Sequence, residues 1–368
     1  MREGRICLAH ADSLKMLRFA RADPMLMLAP ASDRVLREIE GSVVAETILS
    51  VLPNDVFEPA AQPVQLRFDD ASSRSRCSLV RSCSALDRLP TAGYLDVLST
   101  EGDPFCVNGS SVEHVVVEAP GLALASAANE LCELVSRGRL SRESALIRLV
   151  GLAMELCGIY ARDPCAPLVG PVAYELETIS SVHESMELLD ELKGRRGVSL
   201  ARRAIKYAND GSGSVMETFW YGVFCLPPRL GGSNLPRPLQ NAPLEWSLDV
   251  ADVVSHERMR PDFYWSQYNT ACEHQGGDHA REAALAEDSR RARDYELCGI
   301  HYLPLTKRDA QNEGAVRDIL SQLFRIISLY EGPAFKRKAA RILNDSDVRA
   351  ARRVLLGQLL PPLARWGE

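Results

Sequence analysis

The sequence contains no long hydrophobic segment. No run of the roughly eighteen apolar residues that a membrane-spanning helix needs occurs in the chain. Its first residues, Met1-Arg2-Glu3-Gly4, lack the charged and apolar pattern that begins a signal peptide. We therefore expect a cytoplasmic protein without a membrane partner.

Paired cysteines and an excess of positive charge are also missing. The ten cysteines include no C-x-x-C pair and no zinc-ligand spacing, which argues against a structural zinc site and for buried, reduced thiols. The 43 basic residues are outnumbered by 49 acidic ones, giving a net charge of −6. This balance excludes a protein that coats nucleic acid over its whole surface, but it permits an enzyme with a local basic face.

With 368 residues, the chain is long enough for two domains of ordinary size. The glycines and charges of Gly194-Arg-Arg-Gly197 indicate a linker. We predict an α/β protein with an α+β N-terminal domain over residues 1–195. A second domain over residues 198–332 should contain a mixed sheet flanked by helices, and a basic helical tail should follow over residues 333–368.

One stretch of the second domain predicts a β-hairpin. Residues Arg260 to Trp265 are largely aromatic and apolar, Ser266-Gln267 provides polar turn residues, and Asn269 to Glu273 predicts the returning strand. Folding about this turn would bring Asp262 and Glu273 together. Two converging carboxylates are ligands suited to Mg²⁺ or Mn²⁺ and thus to activation of a hydrolytic water.

An upstream helix supplies a further carboxylate. Ser214-x-x-Glu217 has the spacing of a capping box, in which the serine caps the helix and the glutamate reaches back to the serine amide. The alternative is that Glu217 is a third acidic group beside the predicted metal. Arg290 and Arg291, on a later charge-rich helix, are either members of surface ion pairs or contacts to a nucleic-acid backbone.

These residues resemble a known family. Pro261-Asp262 followed by Glu273-x-Gln275 is similar to the P-D…(D/E)-x-K motif of restriction-endonuclease-like nucleases. Arg260-Pro-Asp-Phe-Tyr-Trp resembles the very-short-patch-repair (Vsr)-like branch more closely, and the resemblance extends over residues 198–330. It implies a restriction-endonuclease-like fold and magnesium-dependent cleavage of nucleic acid, with DNA as the expected partner.

The resemblance also assigns roles to individual residues. Asp262 and Glu273 are the expected ligands of Mg²⁺ or Mn²⁺, and Glu217 is the expected additional acid. Gln275 occupies the lysine position of the motif, so it could orient water but could supply neither a base nor a positive charge. His279 is a candidate general acid or base, because histidine titrates in a suitable range. Otherwise it is a surface residue at a helix start.

The N-terminal part has a more distant resemblance. A Ser/Leu-rich first helix, a strand ending in Val117-x-x-Pro120 and a helix ending in Glu155-Leu-Cys-Gly-x-Tyr160 are similar to a domain attached to Vsr-like nucleases. The proteins that carry this domain are distantly similar to the antitoxin half of abortive-infection toxin–antitoxin systems. This implies a setting in phage defence or a toxin–antitoxin pair, with a protein partner bound by the N-terminal domain. Two other interpretations of the second domain are open. Because Gln275 replaces the lysine, the chain could be a binding or regulatory protein that keeps the nuclease fold without the activity. In the other interpretation, Asp262 and Glu273 are ordinary carboxylates at strand ends.

Overall fold

The computed structural model describes residues 4–37, 52–53, 55–57, 63–68, 78–83, 89–103, 105, 112–246, 249–275 and 282–360. The chain divides into two compact units, Met1–Ala208 (the first unit) and Asn209–Glu368 (the second unit). Each unit combines helices with a sheet that contains both parallel and antiparallel strand pairs. The predicted α/β class is confirmed.

A six-stranded mixed sheet forms the centre of the first unit. Its strands are β1 (Gly4–Leu8), β2 (Leu26–Pro30), β3 (Val64–Arg67), β4 (Val80–Ser82), β5 (Tyr94–Ser99) and β6 (Val112–Glu118). They are arranged in the order β2-β5-β6-β1-β3-β4, with β1 parallel to β6. The β-branched run Val115–Val117 suits an extended, packed backbone, and all three side chains are fully buried.

Helices and a small ribbon complete the first unit. The helices are α1 (His10–Ala22), α2 (Asp33–Arg37), α3 (Pro120–Ser136), α4 (Arg142–Leu156), α5 (Val182–Glu191) and α6 (Val198–Ile205). The ribbon pairs β7 (Ala161–Arg162) with β8 (Val172–Ala173). Helix α6 packs on α3, α4 and α5 through Val198, Ala201 and Ile205. The boundary between the units therefore lies at Ala208/Asn209, and the sequence expected as a linker, residues 194–197, connects two helices of the first unit.

The described part of the second unit contains three strands and four α-helices. The strands are β9 (Phe263–Trp265), β10 (Thr270–Gln275) and β11 (His301–Thr306), and the helices are α7 (Val215–Cys225), α8 (Glu282–Leu297), α9 (Glu313–Asn344) and α10 (Ser346–Leu359). Strand β10 is central, antiparallel to β9 and parallel to β11. Aromatic side chains join α7 to the hairpin: Phe224 makes edge contacts with Phe263 and Trp265 at ring-centroid distances of 5.5 Å.

Residues expected to form a basic tail contribute to the packing of the second unit. Helix α9 continues past residue 332 through a kink at Gly332, where φ is 74° and Pro333 follows, and α10 packs against α7. Arg352 is fully buried, where its Nε donates to the carbonyl of Gly231 over 3.0 Å and its Nη1 to Glu313 over 3.3 Å. Arg352, one of the basic residues of the expected tail, is therefore unavailable to a ligand.

Within the described residues, no helix is both long and apolar enough to cross a membrane.

Candidate functional site

The hairpin register brings the two predicted carboxylates together. Cys272 of β10 pairs with Phe263 of β9, so the next pair outward along the antiparallel ladder is Glu273 opposite Asp262. Directly opposite residues project from the same face of a sheet. The turn between the strands is a short 3₁₀ segment that ends at Asn269, whose φ of 44° is tolerated by asparagine better than by most residues.

Asp262 is held in an environment that opposes its ionisation. Its Oδ2 accepts the backbone N–H of His274 over 2.6 Å. Burial, followed by the negative charges of Glu217 and Glu273, raises the pKa of Asp262 well above its usual value, although the His274 amide and Arg291 act in the opposite direction. Asp262 therefore lies close enough to both carboxylates to be affected by their charges.

Glu217 lies in the first turn of helix α7, and its charge acts on Asp262 of the hairpin. Ser214 caps the helix by accepting the Glu217 N–H over 3.0 Å, as the capping-box interpretation predicts. The Glu217 carboxylate instead accepts the N–H of Gly213 over 2.6 Å and the side-chain amide of Asn241 over 2.5 Å. Burial raises the pKa of Glu217 despite these donors. The backbone N–H of Glu217 thus takes part in the helix cap, while its carboxylate lies close enough to Asp262 to affect the ionisation of that residue.

The third carboxylate, Glu273, is surrounded by donors. Its Oε1 accepts hydrogen bonds from Arg291 over 2.5 Å and from the Tyr295 hydroxyl over 2.6 Å, while Oε2 faces the Tyr302 hydroxyl at 3.4 Å. Burial raises the pKa of both tyrosines, so they stay protonated and act as donors. Arg291 is therefore an ion-pair partner at this site, and Arg290 pairs with Glu287 over 3.1 Å.

Gln275 and His279 are the remaining two predicted site residues, and the structure describes only the first of them. Gln275 is two residues beyond Glu273 on β10, so it projects from the same face, and its side chain hydrogen-bonds with Tyr302. His279 lies outside the described residues. The structure therefore brings Glu217, Asp262, Glu273 and Gln275 to one end of the hairpin.

Sequence reasoning missed three residues at this site. Asn241 reaches Glu217 from a loop whose backbone bonds to Pro261 over 3.1 Å, and no local pattern predicts that contact. Tyr302 lies beside Ala271 in the parallel pairing of β10 and β11. Tyr295 could have been found, because it is four residues after Arg291 and so lies on the same face of the helix.

The carboxylates at this site have the chemistry of divalent-cation ligands, but as described they are not arranged to hold an ion. Carboxylate oxygens are the ligands that Mg²⁺ prefers, and the raised pKa of Asp262 reflects first its burial and then the negative charges of Glu217 and Glu273. However, among the described residues no group of three or more histidine, cysteine, aspartate or glutamate side chains is arranged to hold a metal ion. The donor chemistry fits Mg²⁺, but Glu273 must release Arg291 to serve as a ligand.

His256, in the loop before the hairpin, hydrogen-bonds to two carboxylates of helix α8. His256 Nδ1 lies 2.6 Å from Asp294 Oδ2, and its Nε2 lies 2.5 Å from Glu287 Oε1. The hydrogen bond with Glu287, then that with Asp294, raises the pKa of His256. The indole N–H of Trp246 donates to the His256 carbonyl over 2.8 Å, so a fluorophore lies beside this contact.

This bridge predicts a pH-dependent stability. Because the folded-state pKa of His256 exceeds its ordinary value of 6.5, the stabilisation is complete below that pH and is lost as the pH rises through the folded-state value. We expect the urea midpoint, followed by tryptophan fluorescence, to fall over this range. His256→Gln should lack that fall. Parallel profiles for the two proteins would contradict the role assigned to His256.

Comparison of the chain with protein-family models, with curated proteins and with solved structures gives no match. The resemblance to Vsr-like nucleases therefore stays a prediction that depends on the residues at this site.

Proposed function

We propose that the second unit is a metal-dependent nuclease that hydrolyses phosphodiester bonds in nucleic acid, with DNA as the first substrate to test. The observation that carries this proposal is the grouping of Glu217, Asp262 and Glu273, in which burial and neighbouring negative charges raise the pKa of Asp262. Side chains whose pKa is shifted by burial and by neighbouring charges are common where a protein binds a cation or performs acid–base chemistry.

Asp262 and Glu273 would hold Mg²⁺ or Mn²⁺, with Glu217 as the adjacent acid. When bound, the ion would lower the pKa of a water molecule and neutralise charge on the phosphate. Gln275, on the same strand face as Glu273, would orient the attacking water through its amide. Arg291 is the cation beside Glu273; it supplies positive charge that Gln275 lacks, and it would move from the carboxylate to the substrate phosphate.

The test is nicking of supercoiled plasmid and cleavage of single-stranded DNA with Mn²⁺ or Mg²⁺, and with EDTA as the metal-free control. We expect wild-type protein to cleave and Asp262→Ala and Glu273→Ala each to lower the rate at least about 100-fold, comparable to losing one strong electrostatic contributor. Asp252→Ala is the matched control, because Asp252 is an exposed acid of the same unit. Equal rates for all four proteins would refute the assignment.

A binding or regulatory protein with an inactive nuclease site is the alternative. It is favoured by the three donors that already occupy Glu273 and by the neutral side chain at Gln275. This alternative predicts no cleavage by wild-type protein and no Mn²⁺ binding by calorimetry. A role in phage defence or a toxin–antitoxin pair, with a protein partner for the first unit, is compatible with either function.

A further inference from the structure

A cleft in the first unit is lined mostly by basic residues. It has a volume of about 480 Å³ and lies between the end of α5 and helix α6. Its lining consists of Lys193, Gly194, Arg195, Val198, Ser199, Arg202, Arg203 and Lys206. Five of these eight residues are cationic, and none of these described lining residues is acidic. The cleft is thus a concentrated region of positive charge in a chain whose net charge is −6.

Helix α6 is amphipathic in a way that directs its charge into the cleft. Its basic stripe consists of Ser199 and three cations, Arg202, Arg203 and the C-capping Lys206, at the i, i+3, i+4, i+7 spacing of one helical face. The opposite face packs into the unit through Val198, Ala201, Ala204 and Ile205, which are all buried. Packing therefore fixes the rotation of the helix, and the cations face the cleft as a consequence of the fold.

Cations outnumber acids in the segment that forms the cleft. Asp190 of α5 pairs with Arg202 over 2.5 Å, whereas residues 193–206 contain six basic residues and no acidic one. Lys193, Arg195, Arg203 and Lys206 are exposed. Like charges held around one cleft repel each other, so an anion entering the cleft relieves that repulsion.

The extent of the cleft favours a polyanion over a small anion. Seven residues separate Ser199 from Lys206, which corresponds to about 10 Å along a helix. A nucleic-acid strand places one phosphate per roughly 3.4 Å of helix axis, so the stripe spans about three phosphates. Gly194 has a φ of 90°, and no described atom lies within 4 Å of the point that a Cβ would occupy there, which leaves room for a backbone to approach.

The geometry points to a nucleic-acid phosphate-binding site in the first unit, formed by the cleft between α5 and α6. This inference rests on the proposed function for its choice of ligand. Its failure is nevertheless separable, because binding is measured in EDTA without cleavage. An inactive nuclease that still binds DNA through the cleft would overturn the catalytic proposal alone.

The test is fluorescence anisotropy of labelled duplex and single-stranded DNA with the full-length protein. We expect Arg195→Glu/Arg203→Glu to weaken binding on the order of tenfold to hundredfold and to reduce the slope of log affinity against log salt by about two. The matched control is Arg139→Glu/Arg142→Glu, because both arginines are exposed residues of the same unit outside the cleft. This control introduces the same change in net charge.

Two further measurements separate the loss of cations from the gain of acids, and DNA binding from binding of any polyanion. Arg195→Ala/Arg203→Ala removes the cations without adding acids and should give a smaller loss in the same direction. Poly-glutamate serves as an acidic polypeptide and should bind more weakly than DNA. Equal DNA affinity for the cleft and control variants would overturn the inference, as would poly-glutamate binding as strong as that of DNA.

Discussion

Asp262→Asn is expected to raise the melting temperature of the second unit at neutral pH while lowering any cleavage rate at least about 100-fold. The two effects have one cause, since the charge that would hold a cation is also the charge that the folded protein accommodates poorly. Asparagine keeps an oxygen that can accept the His274 N–H, which Asp262 now accepts over 2.6 Å. The substitution therefore removes charge with little change in hydrogen bonding.

The expected gain in stability follows from the difference between the pKa of Asp262 in the folded and in the unfolded protein. Burial and the charges of Glu217 and Glu273 give Asp262 a folded-state pKa above its unfolded-state value. As the pH rises past the ordinary pKa of 3.8, the unfolded chain releases the proton first, so stability is lost until the pH passes the folded-state value. At neutral pH the variant avoids this loss. We expect a gain of about 0.5–2 kcal/mol, the usual size for a stabilising substitution.

Tryptophan fluorescence during thermal unfolding is the measurement. All four tryptophans, at positions 220, 246, 265 and 366, belong to the second unit. Glu273→Gln is the control with the opposite expectation, because Arg291 would lose its ion-pair partner. Mn²⁺ should raise the melting temperature of wild type and leave that of Asp262→Asn unchanged. A variant less stable than wild type at neutral pH would contradict the proposed electrostatic strain.

The central hairpin could be predicted because its signals are local. Aromatic and apolar residues flank a short polar turn, and counting outward from the turn places Asp262 near Glu273. The structure has this register, with Cys272 opposite Phe263. The observed strands, Phe263–Trp265 and Thr270–Gln275, differ from the predicted ones only at their ends. The helix start at Ser214 was equally accessible, since a cap depends on residues three apart.

Contacts between distant segments could not be derived in this way. Arg291 and Tyr295 reach Glu273 only because α8 packs against β11 and Tyr295 joins a buried cluster with Ala271 of β10, and sequence periodicity identifies a charged helix without identifying its partner. The linker signal has a related limit: Gly194 and Gly197 signal a break in helix, which the structure places between α5 and α6 of one unit. A loop signal indicates where the backbone turns, whereas a domain boundary depends on which surfaces pack together.

Glu118→Ala is expected to destabilise the first unit by about 3–5 kcal/mol, the cost of leaving one member of a buried ion pair without its partner. Glu118 is fully buried at the end of β6, and its Oε1 accepts from Nε of Arg67 over 3.1 Å and also from Nη2. Strand β1 lies between β6 and β3, the two strands that carry this pair. The ion pair therefore crosses the centre of the six-stranded sheet.

Urea unfolding followed by far-UV circular dichroism measures this effect in the full-length protein. Glu133→Ala is the matched control, because Glu133 pairs with Arg137 on the surface of α3, and an exposed pair contributes at most about 1 kcal/mol. The double variant Arg67→Met/Glu118→Leu should recover most of the loss, since it removes both charges while filling the space with apolar atoms. A double variant as unstable as Glu118→Ala would show that the pair itself, rather than the unpaired charge, maintains the sheet.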